Sequence, residues 1–214
     1  MFDLGGIGPA IAIGLLIVVM LWFTFGTQRN IRRGNDLLTW LQGALPRIGK
    51  RTTLRWLGSS AVELTIAEPN EPFRRATVVL VLEPRDVGLL WAFARSRGRR
   101  DFVIIRADLR RPPRFSADVG DPAGWTGRLE TDGGLDRTAW PAGVVAAFGP
   151  DADRALVSEA WQRLSATTGG AWRLTIQPVI PHLEVHARPP ATGTTPADGF
   201  IDGVVELARH LAAR

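Results

Sequence analysis

The chain has 214 residues, no cysteine, and a net charge of +5 from 26 basic and 21 acidic side chains. Without cysteine there is no disulfide framework, no thiolate metal site and no cysteine nucleophile. Lys50 is the only basic residue that is not an arginine, which raises the isoelectric point because arginine stays protonated; the modest net charge is not itself a nucleic-acid signature.

Leu4 to Gln28 contains no ionisable residue. At ~1.5 Å per residue it forms a helix of about 37 Å, enough to cross a hydrocarbon core of ~30 Å. Met1 to Asp3 carry no basic side chain, the apolar run is long for a signal peptide, and Trp22-Phe23-Thr24-Phe25 is a poor cleavage site. Residues 1–28 therefore read as an uncleaved, single-pass transmembrane anchor. Asp3 is the only charged side chain before it, whereas Arg29, Arg32 and Arg33 open a basic stretch continuing through Arg47, Lys50, Arg51 and Arg55. The positive-inside rule puts the N-terminus outside and the following domain in the cytoplasm. Trp22, Phe23 and Phe25 fall where an inner-leaflet aromatic belt sits. Gly6, Ala10 and Gly14 repeat at the interval that lets membrane helices pack closely, so the expected partners are the bilayer and either a second copy or another membrane protein.

Residues 29–49 read as a basic juxtamembrane amphipathic helix, with Leu37, Leu38, Leu41, Ala44 and Leu45 on one face, Trp40 on its flank and Pro46 at its end. It either continues the anchor into the cytoplasm or lies along the headgroups, in which case Gly34 is the hinge. Residues 50–214 form the globular domain. Period-two patterning predicts strands over 52–57, 61–68 and 75–82. Residues 86–97 predict a helix with Val87, Leu90, Trp91 and Ala94 inward, stopped by Gly98, and 102–109 a strand.

A loop rich in Pro, Gly and Asp follows as far as Gly124. Trp125 to Glu130 and Leu135 to Trp140 read as a hairpin around Asp132-Gly133. Gly143 to Phe148 is a short strand, and Pro150 stands at the N1 position of a helix ended by Gly169-Gly170. Strands at 171–176 and 182–187 precede a final helix from Asp198 with Phe200, Ile201, Val204, Val205, Ala208 and Leu211 inward. The fold class is α+β: mostly antiparallel strands covered by about three helices. Trp40, Gly49 and Pro69 recur as Trp161, Gly170 and Pro190 at an offset of 121, which admits a diverged duplication.

No stretch carries the motif of a characterised family. The segment Gly43 to Thr52 has a phosphate-loop outline, but it has one residue too many between its glycines, Arg51 where Ser or Thr belongs, and a helix before it. His182, Glu184 and His186 share one strand face and are weak metal candidates, because the outer pair lies roughly 13 Å apart along an extended strand. Arg95, Arg97, Arg99, Arg100, Arg106, Arg110, Arg111 and Arg114 form the densest basic patch in the domain, suited to solvent or to an anionic surface. Asp118, Asp121, Asp132 and Asp136 fit no EF-hand order, and Ser59, Ser60, Ser96, Ser116, Ser158 and Ser165 lack a nucleophile elbow. No catalytic residue, cofactor or firm metal site is assigned. The leading expectation is a non-enzymatic interaction or scaffold subunit of a membrane complex. The alternatives are a membrane-bound hydrolase or transferase using the Asp-rich loops with His182 and His186, and an anionic-lipid or nucleic-acid binder acting through the arginine patch, nucleic acid being the less favoured.

Overall fold

A computed structural model describes residues 4–129, 135–190 and 195–213. The first helix, α1, runs unbroken from Leu4–Gln42, about 58 Å at ~1.5 Å per residue. Of the two alternatives, the juxtamembrane segment therefore continues the first helix, with no hinge at Gly34. Gly34 is instead a contact point: a Cβ there would lie 2.5 Å from the Trp56 ring, so its missing side chain lets the helix lie against the sheet. A short 3-10 turn, Leu45–Arg47, ends the helical segment.

The remaining elements are β1 (Thr52–Trp56), β2 (Ala61–Ile66), β3 (Phe73–Val81), α2 (Gly88–Ser96), β4 (Phe102–Leu109), β5 (Ala117–Gly120), β6 (Asp136–Ala139), β7 (Val145–Phe148), α3 (Arg154–Ala166), β8 (Ala171–Ile176), β9 (Leu183–Ala187) and α4 (Asp198–Ala213). Among the described residues the strands form one antiparallel sheet of nine, in the order β1-β2-β3-β4-β9-β8-β5-β7-β6.

Alternation along the strands sends one set of side chains to each face. Val62, Leu64 and Ile66 of β2, Val103 and Ile105 of β4, and Val185 of β9 belong to the main core, which is closed by Leu37 and Leu41 of α1, Trp161 and Leu164 of α3, and Phe200 and Val204 of α4. Each such fully buried side chain contributes about 1.5–3 kcal/mol. The opposite face has a smaller apolar cluster, Phe102, Ile104 and Trp172, bordered by the polar residues Arg106, Glu184, His186 and Arg173.

Three local expectations are corrected. Residues 125–129 form no strand; β6 pairs with β7, and the Asp132-Gly133 turn lies outside the described residues. Strand β5 arises inside the segment expected to be loop, because Ala117 to Gly120 finds pairing partners on both sides, β7 and β8. Helix α3 starts at Arg154 and not at Pro150, since Asp153 caps it by accepting from the Leu156 amide at 2.9 Å. The suggested duplication extends to a helix before each hairpin, β1–β2 and β8–β9. Beyond that the halves differ, as β2 leads into β3 and β9 into α4.

Candidate functional site

The densest convergence of charge lies where the domain meets α1. After β3, the segment Leu82 to Asp86 turns along the helix. Trp22 Nε1 donates to the Arg85 carbonyl at 3.1 Å. A Cβ on Gly26 would sit 2.1 Å from that same carbonyl oxygen, so the backbones touch only because residue 26 is glycine. The Arg85 guanidinium then forks onto Asp101, with Nη1 to Oδ1 and Nη2 to Oδ2 both at 3.0 Å, and Nη1 also reaches Asn30 Oδ1 at 3.1 Å. Arg33 Nε donates to Asp101 Oδ2 at 3.2 Å, and the Glu83 amide to Oδ1 at 2.8 Å.

Planar, two-pronged geometry of this kind is the strong form of an ion pair. Burial by itself raises the Asp101 carboxyl, but the Arg85 hydrogen bonds and charge, the Glu83 amide and Arg33 outweigh it and hold the group below its ordinary value. Glu83, only 3% exposed, accepts from Trp91 Nε1 at 2.6 Å and pairs with Arg95 at 3.1 Å and Arg85 at 3.6 Å. This network spans α1, the β3–α2 connection, α2 and the start of β4. It is a latch that fixes the domain against the helix.

Helix α2 departs from its expected packing. Trp91 and Ala94 do turn inward, with the Trp91 ring centroid 6.3 Å from that of Trp22. Val87 and Leu90, expected to be buried, are exposed, together with Leu89 at 89% and Phe93 at 57%. The reason is that α2 packs on α1 and the latch instead of on the sheet, so its inward face is narrower than its apolar arc. Between α1 and α2 lies an open, almost wholly apolar groove of about 490 Å³, with Val18, Leu21, Trp22 and Phe25 among its walls and Arg29 and Arg85 also in its lining.

The three arginines expected to set topology separate in place: Arg33 belongs to the latch, Arg29 lines the groove, and Arg32 is exposed. Ala10 and Gly14 lie exposed on α1, in the same helix as Gly6. The arginine patch is divided by the eight residues of β4, about 26 Å of strand. At one end Arg95 binds Glu83, Arg97 lies over the Phe93 ring, Arg99 lies over the Trp125 ring and Arg100 donates to the Arg95 carbonyl. Arg106 pairs with Glu184 on the sheet face. Beyond the other end of β4 come Arg110, Arg111 and Arg114, which are exposed.

His182 and His186 are held apart by their partners. The Leu109 amide donates to His182 Nδ1 at 2.9 Å. His186 stacks on Phe102, with Nδ1 at 2.7 Å from the Thr126 hydroxyl and Nε2 at 2.5 Å from Glu184 Oε1. In the neutral ring this assigns Nε2 as donor and Nδ1 as acceptor. Burial raises the Glu184 carboxyl, yet the bonds and charges of His186 and Arg106 bring it down to about 2. Among the described residues no three His, Cys, Asp or Glu side chains gather as a metal would require.

The aspartates likewise serve separate partners. Asp118 takes Arg173 Nη2 at 2.7 Å and the Thr175 hydroxyl at 2.9 Å, Asp121 caps the Ala123 amide, and Asp136 pairs with Arg154 at 2.6 Å. Asp132 is outside the described residues. Among the described serines, Ser59 donates to Asp86 at 2.5 Å and Ser96 to the Phe93 carbonyl.

Sequence reasoning missed Asn30, Glu83, Arg85 and Thr126. The available signal was Glu83-Pro84-Arg85 directly after an apolar strand, polar residues where the chain must leave the sheet. A scan against protein-family models and a search of curated proteins both return no match.

Proposed function

We propose that the chain is a single-pass membrane protein, N-terminus outside and folded domain in the cytoplasm, whose domain acts without catalysis as an interaction or scaffold subunit of a membrane complex. The observation that carries this reading is the continuity of α1. The helix that is exposed from Gly8 to Phe25 is the same one whose later turns, at Leu37 and Leu41, are buried in the domain core. A soluble core helix buries its apolar residues, and a leader destined for removal has no reason to be built into the core it leaves. The Asp101 latch adds a second fixation. Continuous helix and latch together support a fixed pose of domain on anchor, which suits a part that offers its neighbours a surface at a set height and angle.

The test is affinity isolation from membranes solubilised in mild detergent, with a photo-cross-linker at Ile17. Expected is a stoichiometric partner, or a second copy, whose capture falls when Gly6, Ala10 and Gly14 are replaced by leucine. A chain recovered alone and uncross-linked refutes the reading.

A second reading, hydrolase, has one observation in its favour. The order Thr126 hydroxyl, His186 imidazole, Glu184 carboxylate is that of an activated nucleophile. Fluorophosphonate labelling that is lost in Thr126→Ala supports it; absence of labelling leaves the three groups as a strut holding the 121–129 loop on the sheet.

A further inference from the structure

We infer that α2 lies in the membrane interface and that the groove between α1 and α2 seats an anionic phospholipid of the same leaflet. The inference rests on the reading of α1 as a membrane span. Its first support is depth. Helix α2 meets α1 at Trp22, whose ring is tilted 47° to that of Trp91 at 6.3 Å and lies against Gly88, while the residues just before α2 touch Gly26. Trp22 precedes the first charged residue of α1, Arg29, by seven residues, about 10 Å along the helix. Interfacial helices bury their apolar face about 5–10 Å into the headgroup and acyl boundary. When α1 spans the bilayer, α2 is therefore held at the depth such a helix occupies.

The second support is the side-chain distribution. Leu89, Leu90 and Phe93 are exposed, and none of the described residues covers them. The basic residues Arg95, Arg97, Arg99 and Arg100 follow directly, and the Arg97 guanidinium rests 4.9 Å from the Phe93 ring centroid. Apolar residues on one side and arginines gathered at the end match the boundary between acyl chains and anionic headgroups, with arginine stems lying along apolar surface.

The third support is the groove itself. Val18 and Arg29, both in its lining, are eleven residues apart, about 16 Å of helix, with the apolar walls toward Val18. The almost wholly apolar surface complements an acyl chain, and the exposed Arg29 at its end stands where the phosphate of that chain would follow. Arg85 already shares its charge with Asp101, whereas Arg29 has no ion pair among the described residues. Around this junction Arg29, Arg32 and Arg33 of α1, Arg85, and Arg95, Arg97, Arg99 and Arg100 at the end of α2 outnumber the carboxylates Glu83, Asp86 and Asp101. The excess of positive charge at this end selects an anionic over a zwitterionic headgroup.

The absence of native cysteine makes the test direct. The full chain carrying Leu89→Cys, Val18→Cys or Val179→Cys is labelled with an environment-sensitive fluorophore and placed in phosphatidylcholine vesicles containing phosphatidylglycerol. Leu89 is nearly fully exposed, so its replacement does not threaten the fold, and Val179, also exposed, lies in the β8–β9 turn at the far end of the sheet.

The expected result is a blue-shifted label at Val18 and at Leu89, quenched severalfold more by nitroxide lipid than the label at Val179. A dry Val18 with a wet Leu89 overturns this inference alone. A wet Val18 overturns the membrane-span reading and this inference with it. Shielding of Leu89 that vanishes as protein is diluted in lipid assigns the face to a second copy and also overturns the inference.

For the headgroup, tryptophan quenching by brominated phosphatidylglycerol is compared with that by brominated phosphatidylcholine. The anionic lipid should quench more, and Arg29→Gln should reduce that preference about fivefold, the equivalent of the ~1 kcal/mol a basic side chain gains at an anionic surface. Equal quenching by the two lipids, or a preference unchanged in Arg29→Gln, rules out the groove as the anionic site.

Discussion

Replacing Asp101 with alanine tests the latch most severely. The substitution removes both acceptors of the Arg85 fork, the Arg33 bond and the partner of the Glu83 amide. It leaves behind a guanidinium whose side chain is 14% exposed. Stranding one member of a buried pair costs about 3–5 kcal/mol. Glu83 remains 3.6 Å from Arg85 and Asn30 still accepts from it, which moves the expectation to the lower end, about 3 kcal/mol. For a domain of this size that is a fall of about 6–12 °C in melting temperature. The assay is thermal unfolding of the full chain in detergent at neutral pH, with Asp136→Ala as reference. Asp136 and Arg154 form a close pair whose side chains are 67% and 56% exposed, and such pairs are worth about 0–1 kcal/mol. If Asp101→Ala melts no lower than Asp136→Ala, the latch is a surface pair in all but appearance and the argument for a fixed domain pose fails. The pH dependence has a definite sign. Because the Asp101 carboxyl is held below its ordinary value, its stabilisation is complete at neutral pH and is lost as acid protonates it, so Asp101→Asn should flatten the acid limb of the stability curve.

Three further outcomes follow from the same geometry. Gly26→Ala should lower stability by about 1–3 kcal/mol through overpacking, because its Cβ meets backbone at Arg85, whereas Gly14→Ala, with nothing within 4 Å, should be neutral or gain up to about 1 kcal/mol of helix propensity; equal melting of the two would refute the close approach. Glu184 falls from 4.5 to about 2, so its contribution is full above pH 4.5 and disappears as the pH drops toward 2, and Glu184→Gln should abolish that part of the melting-temperature profile. Phe200→Ala in α4, at a fully buried position, should cost about 3–5 kcal/mol in chemical denaturation; a loss under 1 kcal/mol would mean that α4 does not close the core.

Elements with a two-sided contrast in their own residues were legible without coordinates. Val62, Leu64 and Ile66 alternate with Glu63 and Thr65, and β2 buries the first set. Phe200, Ile201, Val204, Val205, Ala208 and Leu211 recur at helical spacing, and α4 buries all six. By contrast β5 is four residues, Ala117 to Gly120, set between turn formers. Its extended state comes from β7 and β8, whose pairing residues lie 25 to 59 positions away in sequence, and local periodicity carries no trace of them. The strand expected from Trp125 is absent over the described residues 125–129 for the converse reason. The local turn chemistry was adequate, but Thr126 is drawn to His186 across the sheet.

The sequence by itself determined the apolar length of α1, the charge imbalance across it, the absence of thiol chemistry and the α+β pattern, because each is a property of adjacent side chains. Only the tertiary structure decided that α1 is one helix through Gly34, that Asp101 gathers Arg33 and Arg85, and that α2 presents Leu89 and Phe93 outward. Those three facts depend on residues 16 to 68 positions apart meeting in space, and on backbones approaching where glycine leaves room. Hydrophobic periodicity marks which residues are apolar; the packing partner decides which of them it covers, and on α2 that partner leaves most of the apolar arc open.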